Sequence, residues 1–170
     1  MPQREPRWLE LARADLGVKE IPGPLHAEKV LEYFREVGRP DITNDETAWC
    51  GASIGAWLKR AGEVILPPDK VLGSRNWERW GVPLTGPRFG AIGVKYRAGG
   101  SPKDWTGHVG IIVAANATTI WMISGNSGNR VSIAAYKRAE FTAYRWSKDT
   151  PITALPLPTS LAAAGGVTEA

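Results

Sequence analysis

The sequence predicts an α+β fold in which N-terminal helices pack on an antiparallel sheet of about four to five strands. Two observations favour this class. Apolar residues recur with the helical period through residues 6–62, whereas short runs rich in β-branched residues, separated by turns, follow from residue 91. Helices followed by a run of strands are typical of α+β domains. A chain of 170 residues suits one such domain with its own core.

Two helices are predicted before residue 40. Residues 6–17 carry an apolar stripe and end at Gly17, a residue that commonly terminates helices. Residues 26–37 carry a second stripe and are followed by Gly38 and Pro40, which stop a helix.

The third predicted helix carries the single cysteine of the chain, Cys50. Its apolar stripe consists of Ile54, Trp57, Leu58 and Ala61. Asp45 and Thr47 are the N-cap candidates, and Gly62 ends the segment. With Thr47 as the cap, Cys50 lies in the first turn, where the helix dipole can lower the pKa of a thiol and make it a nucleophile. The alternative is a small buried apolar side chain, as for most free cysteines.

Strands are predicted only after a long irregular region. Gly and Pro residues punctuate residues 63–90 too densely for long elements, and ordered loops of this length are usually functional. The predicted strands comprise residues 91–96, 108–114, 120–125, 131–136 and 141–146. From residue 147 the composition changes to Pro, Ala and Gly with few charges. This change predicts a domain over residues 1–146 and a flexible tail over residues 147–170.

The composition argues against several classes of function. A single cysteine excludes an internal disulfide and a multi-cysteine zinc site, and Cys50 with two distant histidines lacks the clustered spacing of a metal site. We expect neither a metal nor another cofactor. The net charge of +4 is compatible with a polyanionic partner, but the cations are scattered and no nucleic-acid motif is present, which favours an ordinary solvated surface. No apolar run approaches the roughly 20 residues of a membrane span, and residues 1–10 lack an apolar signal segment. We expect a monomer.

The surroundings of the two histidines predict different roles. His26 follows a Pro-Gly-Pro turn at the start of a predicted helix, which favours an exposed residue without a special role. His108 begins an apolar strand directly after a glycine. A histidine at that place can reach a site at the edge of the sheet, although an ordinary part-buried histidine fits equally well.

Antiparallel pairing around the turn that follows this strand brings a third polar residue to His108. Ala114 then faces Ile120, and His108 faces Asn126. An Asn oxygen there would accept the second imidazole N–H and fix the orientation of the ring, as in Cys-His-Asn sites. A register shift of one residue would bring Ser127 to that place instead, and Asn126 also fits plain turn chemistry.

Eight tryptophans are many for a chain of this length. Most are expected in the core, because large aromatic side chains dominate core burial. One or two of Trp77, Trp80 and Trp105, which lie in irregular segments, are candidates to line a groove and stack on a sugar. Trp49, which directly precedes Cys50, is a further candidate for substrate contact.

Several short segments, taken in this order and spacing, are similar to one known superfamily. The segments are residues 45–52 (DETAWCGA), 107–110 (GHVG) and 125–126 (GN), together with residues 16–23 and 75–77. They resemble the CHAP and NlpC-like amidase/peptidase superfamily, and more narrowly a group of small CHAP-like proteins of bacteria and phages, several of which are peptidoglycan hydrolases. The resemblance extends from Trp8 to Trp146.

The resemblance implies a papain-like α+β core with a cysteine site. It implies Cys50 as the nucleophile, His108 as the general base and Asn126 as the group that orients the imidazole. Many CHAP members have Glu at the third position or two residues earlier, where this chain has Ser124, so the chain departs from the family there. A neutral Asn stabilises an imidazolium less than a carboxylate would.

The reaction that the resemblance implies is hydrolysis of an amide bond in peptidoglycan, as an N-acetylmuramoyl-L-alanine amidase or a stem-peptide endopeptidase. The thiolate attacks the carbonyl, His108 protonates the leaving amine and water hydrolyses the thioester, with the backbone N–H of Cys50 as an oxyanion donor. Alternatives are a non-catalytic module that binds wall glycopeptide, and a protein deamidase or transpeptidase on the same scaffold. Made in the cytoplasm, a bacteriolytic hydrolase of the endolysin kind would reach the wall through phage lysis or a secretion system.

Overall fold

The computed structural model describes residues 4–23 and 26–162. The α-helices are α1 (Arg7–Ala14), α2 (Glu28–Glu36) and α3 (Cys50–Arg60), and short 3₁₀-helices span Ser74–Arg79 and Arg138–Glu140. The strands are β1 (Val82–Pro83), β2 (Ile92–Tyr96), β3 (Gly107–Ala115), β4 (Thr119–Ser124), β5 (Ser132–Lys137) and β6 (Phe141–Trp146). None of the described helices reaches the length and hydropathy that crossing a bilayer requires.

The six strands form one antiparallel sheet in the order β1-β6-β2-β3-β4-β5. Strands β2 to β5 are sequential neighbours, and β6 returns to pair with β2 on the other side. Helix α3 contacts β3 and β4, α1 contacts β4, and the first 3₁₀-helix contacts β2, β3 and β6. The predicted α+β class is therefore confirmed.

The predicted number of four to five strands was wrong by one, because the sheet also contains β1. This strand has only two residues, Val82 and Pro83, which pair with Trp146 and Arg145 at the edge of the sheet. A proline is tolerated at an edge because no neighbouring strand needs its missing N–H. Two residues are too few for any periodic signal, and the sequence therefore predicts this segment as irregular.

The start of α3 differs from the prediction, since neither Asp45 nor Thr47 is its N-cap. The N-cap is Trp49, and no side chain caps the helix. The backbone N–H and the hydroxyl of Thr47 instead donate to Asn44 Oδ1 at 2.9 and 3.0 Å. Asn side chains form such local turns readily, and this turn competes with helix capping.

Two glycines allow close packing around the first turn of α3, in which Cys50 is the first residue. A Cβ atom on Gly51 would lie 2.4 Å from the carbonyl oxygen of Val71. A Cβ atom on Gly125, after β4, would lie 2.2 Å from Ser53 Oγ. The segment around residue 71 and the turn after β4 therefore press directly on the helix start and fix the position of the cysteine.

The predicted flexible tail does not describe residues 147–162, which pack on the domain. Pro158 O accepts a hydrogen bond from the backbone N–H of Ala115 at 2.9 Å, and Thr153 O accepts one from Arg88 at 3.0 Å. Leu161 belongs to the hydrophobic core. Apolar burial thus holds this segment despite its proline-rich composition. The rest of the predicted tail, residues 163–170, lies outside the described residues.

Candidate active site

One cleft of about 440 Å³ contains Cys50, His108 and Asn126, the three residues that the sequence selects as catalytic. Cys50 comes from the start of α3, His108 from the start of β3, and Asn126 from the turn after β4. Among the other lining residues, those with polar side chains are Lys95, Arg97, Tyr136, Lys137 and Glu140. Residues from five separate parts of the chain therefore line one cleft with a cysteine and a histidine.

The Cys50 thiol is buried at the helix start, with an exposed fraction of 7% for the residue. Burial raises the pKa of the Cys50 thiol, while the backbone N–H groups of Val109 and Gly51 and the nearby Arg97 act in the opposite direction. Burial is the largest of these effects, so the direction is opposite to the lowered pKa that a helix N-terminus favours. Cys50 therefore rests as a neutral thiol.

The imidazole of His108 is held by two hydroxyl groups. Its Nε2 lies 2.7 Å from Ser124 Oγ and 3.1 Å from Tyr136 OH, and its ring lies 5.3 Å from the Tyr136 ring. Burial, with the charges of Lys95 and Arg97, lowers the pKa of His108 to about 4. The imidazole is therefore neutral at pH 7, and within the described residues its Nδ1 has no hydrogen-bond partner.

Tyr136 belongs to a small hydroxyl network that sequence reasoning missed. Its OH lies 3.0 Å from Ser127 Oγ and 3.4 Å from Ser124 Oγ. Burial raises the pKa of Tyr136, so its OH stays protonated near neutral pH. The two serines around one turn, Ser124 and Ser127, were a signal in the sequence, but only the pairing of β4 with β5 shows that Tyr136 reaches the histidine.

Asn126 lines the cleft without bonding to His108, whose hydrogen bonds go to Ser124 and Tyr136. It lies two residues beyond the end of β4, in a left-handed conformation with φ of 55°. Asn tolerates this conformation better than most residues, which fits a role in the turn. Ser124, the last residue of β4, occupies the place beside the imidazole.

The predicted pairing of β3 with β4 is correct at Ile111 and Ile112 and wrong near the turn. Ala114 faces Trp121 instead of Ile120. A β-bulge between Ile112 and Ala114 inserts one unpaired residue and shifts the register there. On the side of the bulge away from the turn, Ile112 faces Met122, which is the pairing that the predicted register requires.

A buried lysine lies beside the histidine. Lys95 of β2 is the direct cross-strand neighbour of His108, with an exposed fraction of 3%. Its Nζ lies 3.3 Å from Glu140 Oε1 and 5.5 Å from the centre of the Tyr136 ring. Because a buried cation is costly without a partner, the Glu140 carboxylate compensates the Lys95 ammonium.

The rim of the cleft carries uncompensated positive charge. Arg97 and Lys137 are exposed and form no ion pair within the part of the chain that the structure describes. Glu140, the only acidic lining residue, is already paired with Lys95. The cleft therefore presents free cations to a substrate, and it attracts anionic groups.

The segment before α3 is fixed by Asp45, which is fully buried. Its carboxylate accepts hydrogen bonds from the backbone N–H groups of Ile21 and Ala27 at 2.7 and 2.8 Å, and lies 3.0 Å from His26 Nδ1. Burial alone would raise the pKa of Asp45, but the two backbone N–H groups and His26 together lower it. His26, expected to be exposed and without a role, is part-buried in this contact.

The three tryptophans proposed to contact substrate lie in different environments. Trp49 and Trp77 are fully buried, and their indole N–H groups donate to Glu20 Oε1 and Val71 O at 2.8 and 3.1 Å. A stacking ligand needs an exposed ring face, which neither of them offers. Trp105 is 85% exposed, but it lines a second cleft and not the one that contains Cys50.

Comparison with known proteins adds no assignment. The chain matches no family model, no curated protein and no solved structure. Within the described residues, no group of three or more His, Cys, Asp or Glu side chains is arranged to hold a metal ion. Any functional conclusion therefore rests on the residues of the cleft.

Proposed function

We propose that this chain is a cysteine amidase or endopeptidase with a papain-like core of the CHAP/NlpC kind, and that it hydrolyses an amide bond in peptidoglycan. One observation carries the proposal: a cysteine at the start of a buried helix and a histidine on the adjacent sheet line the same cleft. The packing of α3 on β3 and β4 supports the papain-like comparison. A nucleophile beside a base that a third group orients is the common pattern of such sites.

The first step starts from a neutral pair. The tautomer of His108 that carries its proton on Nε2 donates to Ser124 Oγ and leaves Nδ1 as the base. Nδ1 takes the thiol proton of Cys50 as the sulfur attacks the substrate carbonyl, and the resulting imidazolium later gives that proton to the leaving amine. Water then hydrolyses the thioester. In an unliganded site the sulfur and the ring need not be hydrogen-bonded, because such contacts often tighten only with substrate.

The oxyanion of the tetrahedral intermediate needs preorganised donors. The backbone N–H of Cys50 lies at the start of α3, where no side chain caps the helix. Unpaired N–H groups at a helix start, together with the dipole, favour negative charge. This N–H is therefore the oxyanion donor that we assign.

The positive charges of the cleft favour a substrate that carries a carboxylate. Lys95 and Arg97 oppose the formation of the His108 imidazolium, as the lowered pKa of that residue indicates. A substrate carboxylate beside Arg97 would offset this repulsion during the reaction. The stem peptides of peptidoglycan carry such carboxylates.

The experiment that tests the proposal is digestion of purified peptidoglycan with the wild-type protein and with Cys50→Ala. We expect new amino groups with the wild type and a loss of more than about a thousandfold in the variant. Lys19→Gln, at an exposed lysine that lines neither cleft, is the control and should keep full activity. Circular dichroism would confirm that all three proteins are folded.

Mass spectra of the products identify the bond. An amine freed together with the lactyl carboxylate of the sugar indicates the amidase, and an amine within the stem peptide indicates the endopeptidase. Turnover that survives in Cys50→Ala would rule out the nucleophile assignment. If neither protein cleaves the wall but both bind it, the non-catalytic module is the better explanation, which a neutral thiol and a neutral imidazole at rest also fit.

A further inference from the structure

A second cleft, larger than the one that contains Cys50, lies outside the candidate active site. It has a volume of about 660 Å³ and lies between the first 3₁₀-helix, the segment that joins β2 to β3, and β6. Its main side chains are Trp105, Arg79, Lys103 and Arg145. We call it the Trp105 groove. Neither Cys50 nor His108 lines it, so the proposed hydrolysis gives it no role.

Trp105 is presented to solvent by a loop that is held in place. Its exposed fraction of 85% is the highest among the large apolar side chains that the structure describes. Arg75 donates to the carbonyl oxygens of Asp104 and Pro102 at 2.6 and 2.9 Å, and the Asp104 carboxylate accepts the backbone N–H of Ser101 at 2.8 Å. An indole held outward in this way gives a planar, preorganised surface for a ligand ring.

The groove carries unpaired cations next to this indole. Arg79, Lys103 and Arg145 form no ion pair with any described residue, whereas the two acidic lining residues are engaged, Glu78 by Arg75 and Asp104 by its own loop. An anion is therefore the ligand charge that the groove lacks.

One buried polar atom of a groove residue has no hydrogen-bond partner among the described residues. The Nε of Arg145 is buried and has no hydrogen-bond partner among the described residues, the only side-chain nitrogen or oxygen of which this holds. Buried polar groups in folded proteins are almost always hydrogen-bonded, so an exception needs an explanation. Arg145 lies on β6 and lines the groove, but its Nε has no exposed surface, so a ligand in the groove reaches this atom only if the side chain moves.

We propose that the Trp105 groove binds an anionic glycan, with a sugar ring stacked on Trp105 and its carboxylate or phosphate on Arg79, Lys103 and Arg145. The proposal goes beyond the hydrolase function, since binding here needs no chemistry at Cys50. The glycan strand of peptidoglycan, with lactyl carboxylates, and teichoic acid, with phosphates, share this chemistry.

The groove adjoins the Cys50 cleft through one loop. Arg97 and Ala98, at the start of the loop, line the Cys50 cleft, while residues 102–105 line the groove. Gly107, at the end of the loop, lines the Cys50 cleft, and a Cβ atom there would lie 2.6 Å from the Arg75 side chain of the groove. The two clefts are therefore neighbours along one loop.

Binding of three labelled probes to the Cys50→Ala protein, followed by fluorescence anisotropy, tests the proposal. The probes are peptide-free peptidoglycan glycan strands, wall teichoic acid and neutral chitotetraose. We expect at least one anionic probe to bind more tightly than chitotetraose, with an affinity that falls as salt is added. Binding of the carboxylate probe alone, or of the phosphate probe alone, identifies the source of the anion and supports the proposal in either case.

Variants of exposed groove residues locate the binding. Trp105→Ala should raise the Kd by about tenfold, Trp105→Phe should raise it less, and Lys103→Gln should raise it and weaken its salt dependence. Lys19→Gln removes one positive charge outside both clefts and should leave the Kd unchanged. Circular dichroism checks folding, although a residue as exposed as Trp105 contributes little to the core.

The proposal is overturned if the Kd of chitotetraose equals that of the anionic probes, or if no probe binds. It is also overturned if folded Trp105→Ala binds the anionic probes with the same Kd as the protein with Trp105. Failure of the hydrolase function is distinguishable. Glycan binding without any wall cleavage contradicts the proposed hydrolase function but agrees with glycan binding in the Trp105 groove. If cleavage depends on Cys50 but no glycan probe binds, the result contradicts glycan binding in the Trp105 groove and agrees with the proposed hydrolase function.

Discussion

The Cys50 cleft and the Trp105 groove lie on either side of one loop, and both have unpaired cations, but only the Cys50 cleft also contains a buried cation with a carboxylate partner. In the Cys50 cleft, the cation nearest the histidine, Lys95, is buried and paired with Glu140. In the Trp105 groove, Arg79 and its neighbouring cations have no carboxylate partner among the described residues. The first arrangement sets the electrostatics around reacting groups, whereas the second leaves charge available for a ligand.

Hydrogen bonding separates the two regions in the same way. The imidazole of His108 has two hydroxyl partners, Ser124 and Tyr136, and those hydroxyls bond to each other. The Arg145 Nε of the groove has none. A network that is satisfied without ligand suits chemistry that needs fixed groups, whereas the unpaired cations of the groove suit a site that is completed by what binds to it.

The largest effect that separates the two regions is expected from the paired variants His108→Gln and Arg79→Gln. His108→Gln removes the base, so amide hydrolysis should fall by about a thousandfold while glycan binding is unchanged. Arg79→Gln should weaken glycan binding and leave the hydrolysis of a short soluble stem peptide intact. Rates on that peptide and Kd values for glycan strands measure both. If each variant impaired both activities alike, the two clefts would be one site.

Local periodicity carried much of the fold prediction. The apolar spacing from Ile54 to Ala61 predicts α3, and the β-branched run after His108 predicts β3, because both signals depend only on neighbouring residues. Residues 147–162 show the limit of composition, since a proline-rich segment predicted as a flexible tail packs on the domain through Leu161. Burial of that kind depends on a distant surface that the local sequence does not describe.

The site could be predicted only where chain order determines contacts. One hairpin brings β4 back toward His108, so the predicted register locates the correct end of β4. The residue beside the imidazole, however, is Ser124 and not Asn126. Tyr136 comes from the next strand, so its approach depends on a second register that the sequence does not reveal. The sequence also does not predict that Trp49 is buried and Trp105 exposed, because aromatic residues occur in cores and on binding surfaces alike.

A smaller effect tests the charge at the rim of the Cys50 cleft. Arg97→Gln should lower kcat/KM about tenfold for a stem peptide with a free carboxylate, because it removes a charge-assisted hydrogen bond. With the amidated peptide the change should stay within about twofold. Lys137→Gln, at the other exposed cation of the cleft, is the matched control. Equal losses of kcat/KM on both peptides would show that Arg97 does not bind the substrate carboxylate. Glycan binding should not change in either variant.

The smallest expected effect is a shift in pH dependence. With the pKa of His108 lowered to about 4 by burial, Lys95 and Arg97, the acid limb of kcat/KM should lie near pH 4. Arg97→Gln removes one of the two charges and should move this limb upward by a fraction of a unit, whereas Lys137→Gln should not move it.

The same lowered pKa predicts a loss of stability in acid. Between the folded value of about 4 and the ordinary value of 6.5, the unfolded chain binds more protons at His108 than the folded protein does. The contribution of His108 to the free energy of unfolding is therefore complete above pH 6.5 and is lost as the pH falls toward 4. Denaturant titrations at several pH values, compared with His108→Gln, isolate this contribution. An acid limb near pH 6.5 with no such loss would show that His108 is solvated, and the contrast between a desolvated histidine and the exposed cations of the groove would then fail.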